Sequence, residues 1–213
     1  MISELLPDWA AHYGLIEVDE ANDLSTERLL RAYRQGMFPW YDEDMPVCWW
    51  SPDPRAIFEL DGFHASRRLW RTYRSGRFHL TINQSFGGVI RGCAAREDEG
   101  TWITPDMIAA YETLHRLGYA HSVEAWQDGE LAGGVYGVAI GGFFAGESMF
   151  YRRRDASKIA LLHLVLRLRE RGFLLFDTQF VTEHTARLGA IEIPRSHYMR
   201  RLALALQRDA RFA

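Results

Sequence analysis

The chain has 213 residues, 47% hydrophobic, 25% charged and 13% aromatic, with a formal net charge of −3. That is material for one large domain, or one domain and a small companion, and the slight acidity excludes a protein that holds nucleic acid by bulk charge alone. The two cysteines, Cys48 and Cys93, belong to no CxxC pair, which excludes a disulfide framework and a cysteine zinc site and suits a reduced, cytoplasmic compartment.

The opening MISELLPDWA lacks a basic region followed by an apolar run, so no signal peptide is expected. A helix is expected over 24–36, capped by Ser25, with Leu29, Leu30 and Tyr33 on one face and Gly36 closing it. Residues 37–55 hold four of the seven prolines together with Trp40, Trp49 and Trp50, and read as an ordered aromatic loop. A domain boundary is expected near Asp61–Gly62, dividing a small N-terminal domain (1–62) from a larger one (63–213).

The spacing then predicts a helix over 64–73, a strand through Phe78, Leu80 and Ile82, and a glycine-interrupted helix over 85–95. A clearer helix has Thr104 as its cap, Pro105 as its first residue and Gly118 as its stop. A meander follows: a strand over 122–126, the Asp128-Gly129 turn, a strand over 131–140, the Gly141-Gly142 turn, and a strand over 143–150. Residues 131–146 carry no charge but contain six glycines, and are too short for a membrane span. Ser157 is expected to cap a helix reaching Arg171. An apolar strand over 173–176, a short helix from Thr182 to Gly189, a strand over 191–193 and a helix opened by Ser196 complete the chain. The order is α+β, a mainly antiparallel meander followed by strand–helix–strand.

In FDTQF (176–180), Asp177 ends the apolar strand and Gln179 falls on the same side two residues on. A carboxylate and an amide there can hold and polarise an amine: the Gln carbonyl accepts an N–H, while the Asp orients the amide or takes up developing positive charge. A solvated strand end would look the same. Glu147, in GESMF (146–150), follows the uncharged run and needs a partner if buried; it is either a wall of an active site or a structural ion pair with Arg152, Arg153 or Arg154. Arg67, Arg71 and Arg74 share a helical face, with Arg68 and Arg77 nearby. They are either phosphate contacts or a solvated face. The histidines show no metal-ligand spacing, and no P-loop, GxGxxG or GxSxG occurs. Neither metal nor cofactor is expected.

AYRQGMFPWY (32–41), WWSPDPRAIF (49–58), EGTWIT (99–104), GGVYGV (133–138), GESMF, ASKIALL (156–162), FDTQF and HTARLGAIEIPR (184–195) together resemble the leucyl/phenylalanyl-tRNA–protein transferases. The resemblance runs from about Leu24 to Leu206; VDEAND (18–23) departs from the family's glycine-rich stretch. It implies a small N-terminal domain and an acetyltransferase-like C-terminal domain with a mainly antiparallel mixed sheet. It also implies transfer of Leu or Phe, and less well Met, from aminoacyl-tRNA to proteins beginning with Arg or Lys, which marks them for degradation.

By that resemblance Asp177 and Gln179 form the catalytic pair and Glu147 belongs to the same site. Trp40 and Trp102 match the aromatics around the terminal adenosine. Val135, Phe144, Leu161, Leu164 and Phe176 fall in the amino-acid pocket, and Arg67, Arg71 and Arg74 in the region holding the acceptor stem. Thr182 stands where relatives can have Asn. An aminoacyl ester is already activated, so neither ATP nor a covalent intermediate is needed; positioning suffices. A coenzyme-A-dependent acetyltransferase is the first rival, but YRRRDAS (151–157) lacks the glycine that a pyrophosphate-holding loop needs. A non-catalytic tRNA-binding module, the second rival, gives no reason for Asp177, Gln179 and Glu147 together.

Overall fold

The computed structural model describes residues 13–42, 44–95 and 102–213. The opening decapeptide, and Glu99, Gly100 and Thr101 of the EGTWIT motif, lie outside them. Among the described residues no helix is long and apolar enough to cross a membrane.

The N-terminal part is a three-stranded antiparallel sheet with one helix. Strand β1 (Leu15–Asp19) and the short β2 (Phe38–Pro39) flank β3 (Val47–Trp50). The proline-rich segment is thus not the loop expected from its composition. Its prolines fall at the strand ends and turns, where no ladder donor is required, and the run Val47–Trp50 is buried throughout. Helix α1 (Thr26–Arg34) follows β1. Ser25 caps it by accepting from the Arg28 N–H, and Gly36 (φ +75°) ends it, as its sequence signals require.

A seven-stranded mixed sheet forms the rest, in the order β10-β4-β9-β8-β7-β6-β5. Strand β4 (Arg55–Phe58), N-terminal to the division expected at 61–62, lies inside this sheet between β10 (Ala190–Ile193) and β9 (Leu175–Gln179). The meander β5 (His79–Ile82), β6 (Ala120–Gln127), β7 (Glu130–Ile140) and β8 (Phe143–Tyr151) is antiparallel throughout. Its Asp128-Gly129 and Gly141-Gly142 turns fall where the dipeptides indicate, with Asp128 and Gly129 both at positive φ. The one parallel junction is β8–β9, made across helix α5 (Ala156–Glu170).

Adjacent residues of β7 serve opposite faces, as the pleat demands. Val135 packs with the core beneath α5, and Tyr136 with the core that α3 (Phe86–Ala94) and α4 (Pro105–Arg116) share with the N-terminal sheet. Helix α2 (Arg67–Arg74) lies against α5 through Leu69. Three helix starts differ from expectation. Arg67, not His64, opens α2, with Ser66 as cap. Asp155, not Ser157, precedes α5; it sits at φ +72° and gives its carboxylate to Arg68 at 2.7 and 3.1 Å rather than to the helix amides. The C-terminal helix α7 (Arg195–Leu206) begins after Pro194, one residue ahead of Ser196, and the short α6 (Glu183–Ala186) is capped by Thr182.

Candidate active site

Strands β8 and β9 pair only from Phe143↔Leu175 to Ala145↔Asp177. Beyond that register they part, and the gap is a cleft of about 390 Å³. From β8 it takes Gly146, Glu147, Ser148 and Met149; from β9 and the following turn, Thr178, Gln179 and Phe180; from α5, Ser157 and Leu161. Phe58, Val135 and Phe176 supply apolar wall and Trp102 another side. Gly146 must lack a side chain, because a Cβ there would lie 2.9 Å from the Phe176 ring.

Each strand is irregular where it meets the cleft. On β8 the register jumps between Tyr136↔Ser148 and Gly137↔Gly146, so Glu147 is the extra residue of a bulge. On β9 it jumps between Ile57↔Asp177 and Ala56↔Gln179, so Thr178 is extra. Bulges re-aim side chains, often beside functional sites. Strand alternation would have put Asp177 and Gln179 on one side. Instead the cleft is lined by Thr178 and Gln179 in succession, and Asp177 is withdrawn from it.

Asp177 lies inside β9 rather than at its end, with none of its surface exposed. Oδ1 accepts from Arg55 Nε and from the Gln179 backbone N–H, each at 2.9 Å. Oδ2 accepts from Arg55 Nη2 at 2.7 Å and from the Tyr198 hydroxyl at 2.9 Å. A carboxylate has about four acceptor positions, and all four are taken. Burial works against the Arg55 cation, but the Asp177 charge beside it prevails and holds that guanidinium above its ordinary range. Gln179 sits at φ +60°, unusual for a side-chain-bearing residue. It is 8% exposed, and its Nε2 is buried with no hydrogen-bond partner.

Glu147 forms no ion pair with Arg152, Arg153 or Arg154 among the described residues. Tyr33 of α1 donates to Oε1 at 2.8 Å and Tyr111 of α4 to Oε2 at 3.3 Å, while the two hydroxyls also touch each other. Burial pushes the carboxyl up to about 8. The Tyr33 hydrogen bond opposes that, the Asp177 charge adds to it, and Tyr111 and Arg55 oppose it. Three oxygen pairs need three protons and two hydroxyls supply two; a proton on the carboxyl closes the ring, with one tyrosine then accepting from the carboxyl and donating to the other tyrosine. At neutral pH this favours the protonated carboxyl.

The remaining expected residues divide. Val135, Leu161, Phe176 and Trp102 line the cleft, whereas Phe144 and Leu164 do not. Phe144 stands edge-on behind Phe176, ring centres 5.7 Å apart, and Leu164 is fully buried in the same core. Trp40 is set back from the cleft; it is 38% exposed and rests against Trp50 and against Phe180, the aromatic that does line it. Arg67, Arg71 and Arg74 are exposed and surround a shallow hollow with Trp70, separate from the cleft.

Sequence reasoning did not single out Arg55, Tyr198, Tyr33, Tyr111, Phe180 or His184. Arg55, Phe180 and His184 all fall within quoted motifs, but nothing local marks them as site residues. His184 lines the cleft with Nε2 buried and unpartnered, and burial, with Lys158 and Arg187 near, keeps its pKa below the usual value. No group of three potential metal ligands occurs among the described residues.

Comparison with known proteins places the chain among the aminoacyltransferases. Residues 57–203 match the leucyl/phenylalanyl-tRNA protein transferase family and residues 22–53 the N-terminal domain of that family. Relatives named leucyl/phenylalanyl-tRNA–protein transferase include one from Solidesulfovibrio magneticus, 52% identical over 95% of this chain and 83% of its own length. One from Anaeromyxobacter is 53% identical over 95% and 86%, and one from Enterobacter 55% identical over 83% and 76%. The chain belongs to the leucyl/phenylalanyl-tRNA–protein transferase family. Among solved structures it is similar to a GCN5-related N-acetyltransferase-like protein from Streptococcus suis, with 15% identity, 79% of this chain and 64% of that one covered, and a TM-score of 0.41. A ribosomal-protein-alanine N-acetyltransferase from Brucella melitensis has 17% identity, 52% and 86% coverage, and a TM-score of 0.37. Likeness at that level carries no argument about this chain's chemistry.

Proposed function

We propose that this chain transfers leucine or phenylalanine, and less well methionine, from aminoacyl-tRNA to the N-terminal Arg or Lys of acceptor proteins in the cytoplasm, marking them for degradation. Family membership supports the reaction class. The observation that carries the assignment to this cleft is Gln179: a neutral amide with an unpartnered buried nitrogen, on a bulge pinned by a buried carboxylate, in a cleft walled by Phe58, Val135, Met149, Leu161 and Phe176.

Such a wall suits an apolar aminoacyl side chain. It would separate Leu from Met poorly, since one methylene is worth only about 1–3 kcal/mol. Phe144 and Leu164 would shape it from behind. Trp102 and Phe180 are the aromatics available to the terminal adenosine, with Trp40 supporting Phe180. The acceptor amine attacks the ester carbonyl, a C–N bond forms, the C–O bond breaks, and one proton passes from the amine to the leaving ribose hydroxyl. Gln179 holds the amine or the oxyanion by hydrogen bonding, so it is the catalytic residue in this reading and Asp177 its positioning residue. Glu147, pushed by burial toward its protonated form, is suited to relay that proton, giving its own to the leaving oxygen and taking up the amine's in return. Arg67, Arg71 and Arg74 attract the acceptor stem.

Incubation with tRNA charged with labelled Leu or Phe and a peptide beginning with Arg tests the reading. Label joined to the peptide N-terminus is the expected result; binding without joining would leave only a tRNA-binding module.

A further inference from the structure

We infer that Arg55 and Tyr198 are positioning residues for the transfer, acting on Gln179 through Asp177; this rests on the proposed function. Arg55 is 1% exposed and Tyr198 fully buried, and neither lines the cleft. Both nevertheless terminate on the carboxylate that binds the Gln179 N–H.

The arrangement brings distant parts of the chain to one point. Arg55 comes from β4, Asp177 from β9 and Tyr198 from α7. Arg55 Nη1 also donates at 2.8 Å to the carbonyl of Gly36, the residue ending α1. The guanidinium lies over the rings of Phe38 and Tyr198, 4.9 and 4.6 Å from their centres. Stability is a poor reason for such a group. A buried ion pair recovers its desolvation cost only with good geometry, and apolar replacements of similar volume are often as stable.

Geometry at Gln179 is a better reason. Its left-handed backbone is unfavourable for a residue with a side chain and persists only where the surroundings over-determine it. The surroundings here are its place opposite Ala56 of β4 and a hydrogen bond from its own N–H to Asp177 Oδ1. A freely rotating carboxylate would not fix that acceptor. The two parallel contacts from Arg55 fix its plane, and Tyr198 occupies the remaining side of Oδ2. The bulge at Thr178 and the presentation of the Gln179 amide therefore depend on two residues that meet no substrate.

The experiment compares wild type, Tyr198→Phe, Gln179→Ala and the double variant in single-turnover transfer at saturating charged tRNA, and in amide hydrogen exchange without tRNA. Tyr198→Phe keeps the ring and removes the hydroxyl's bond to Asp177 together with the longer one it accepts from Arg55 Nη2 at 3.4 Å. It should slow transfer roughly tenfold, about the worth of one such bond, with donor affinity unchanged. In the Gln179→Ala background it should cost nothing further, because the group it positions is gone. The Gln179 N–H should exchange roughly tenfold faster in Tyr198→Phe while the β6–β7 amides stay as they are. Arg55→Lys, which keeps the charge but not the fork, should move the same two readouts in the same direction. An equal fractional loss in both backgrounds, or unchanged Gln179 exchange, would overturn the inference. Absence of transfer by the wild type would refute the functional reading instead, and the exchange result would still decide for or against the clamp.

Discussion

Strands β8 and β9 each bring a carboxylate into the buried region around the cleft, and the two are treated differently. Asp177 meets a guanidinium on both oxygens, plus a hydroxyl and a backbone N–H. Glu147 meets two phenols and, among the described residues, no cation within ion-pairing distance. The first is spent on geometry. The second is pushed by burial toward its protonated form, beside the cleft. What separates the two is the partner that arrives from elsewhere in the chain.

Breaking the Asp177 side should have the largest effect. Asp177→Ala leaves Arg55 buried and unpaired, at a cost of about 3–5 kcal/mol. In a chain of this size that lowers Tm by on the order of 10 °C, readable by calorimetry. Asp177→Asn, which retains an acceptor oxygen for the Gln179 N–H, should lose less.

The Glu147 side predicts a pH dependence. Its folded pKa, about 8, lies above the ordinary 4.5. Between those values the unfolded chain releases a proton that the folded chain retains, so stability falls as pH rises and levels off above about 8. The slope approaches about 1.4 kcal/mol per pH unit. Glu147→Gln removes the titration, so the variant should gain on wild type from pH 5 to 8 in denaturant unfolding. A constant difference across that range would mean Glu147 is ionised in the fold.

The smallest effect on the fold is expected at the exposed cations of α2, the opposite limit from Arg55. Arg71→Ala should change stability by no more than about 0.5 kcal/mol. It should reduce by about one the slope of log affinity for tRNA against log salt, measured by filter binding. An aminoacyl-adenosine donor, which lacks the stem, should be used as well as before.

The contrast between the two carboxylates also marks where the sequence ceases to be legible. Caps and turns are local, so Ser25, Thr104, Asp128-Gly129 and Gly141-Gly142 signal their elements directly, and Asp177, Gln179 and Glu147 stand out as polar residues against apolar strands. Their partners do not: Arg55 is 122 residues from Asp177, and Tyr33 is 114 from Glu147. The bulges at Glu147 and Thr178 depend on register with β7 and β4, which no local pattern encodes. The same holds for β1–β3, whose prolines disguise a buried strand, and for Phe144, whose alternation fits the pocket while the Phe176 ring stands in front of it.

In the proposed reaction the Gln179 amide, held by Asp177, carries the transfer. Single-turnover transfer from saturating Leu-tRNA to an Arg-starting peptide by Gln179→Ala, in protein whose Tm matches wild type, tests it most directly. A fall of about a hundredfold or more, comparable to removal of a transition-state hydrogen-bond donor, with donor affinity retained, is the predicted result; a rate near that of wild type would contradict it.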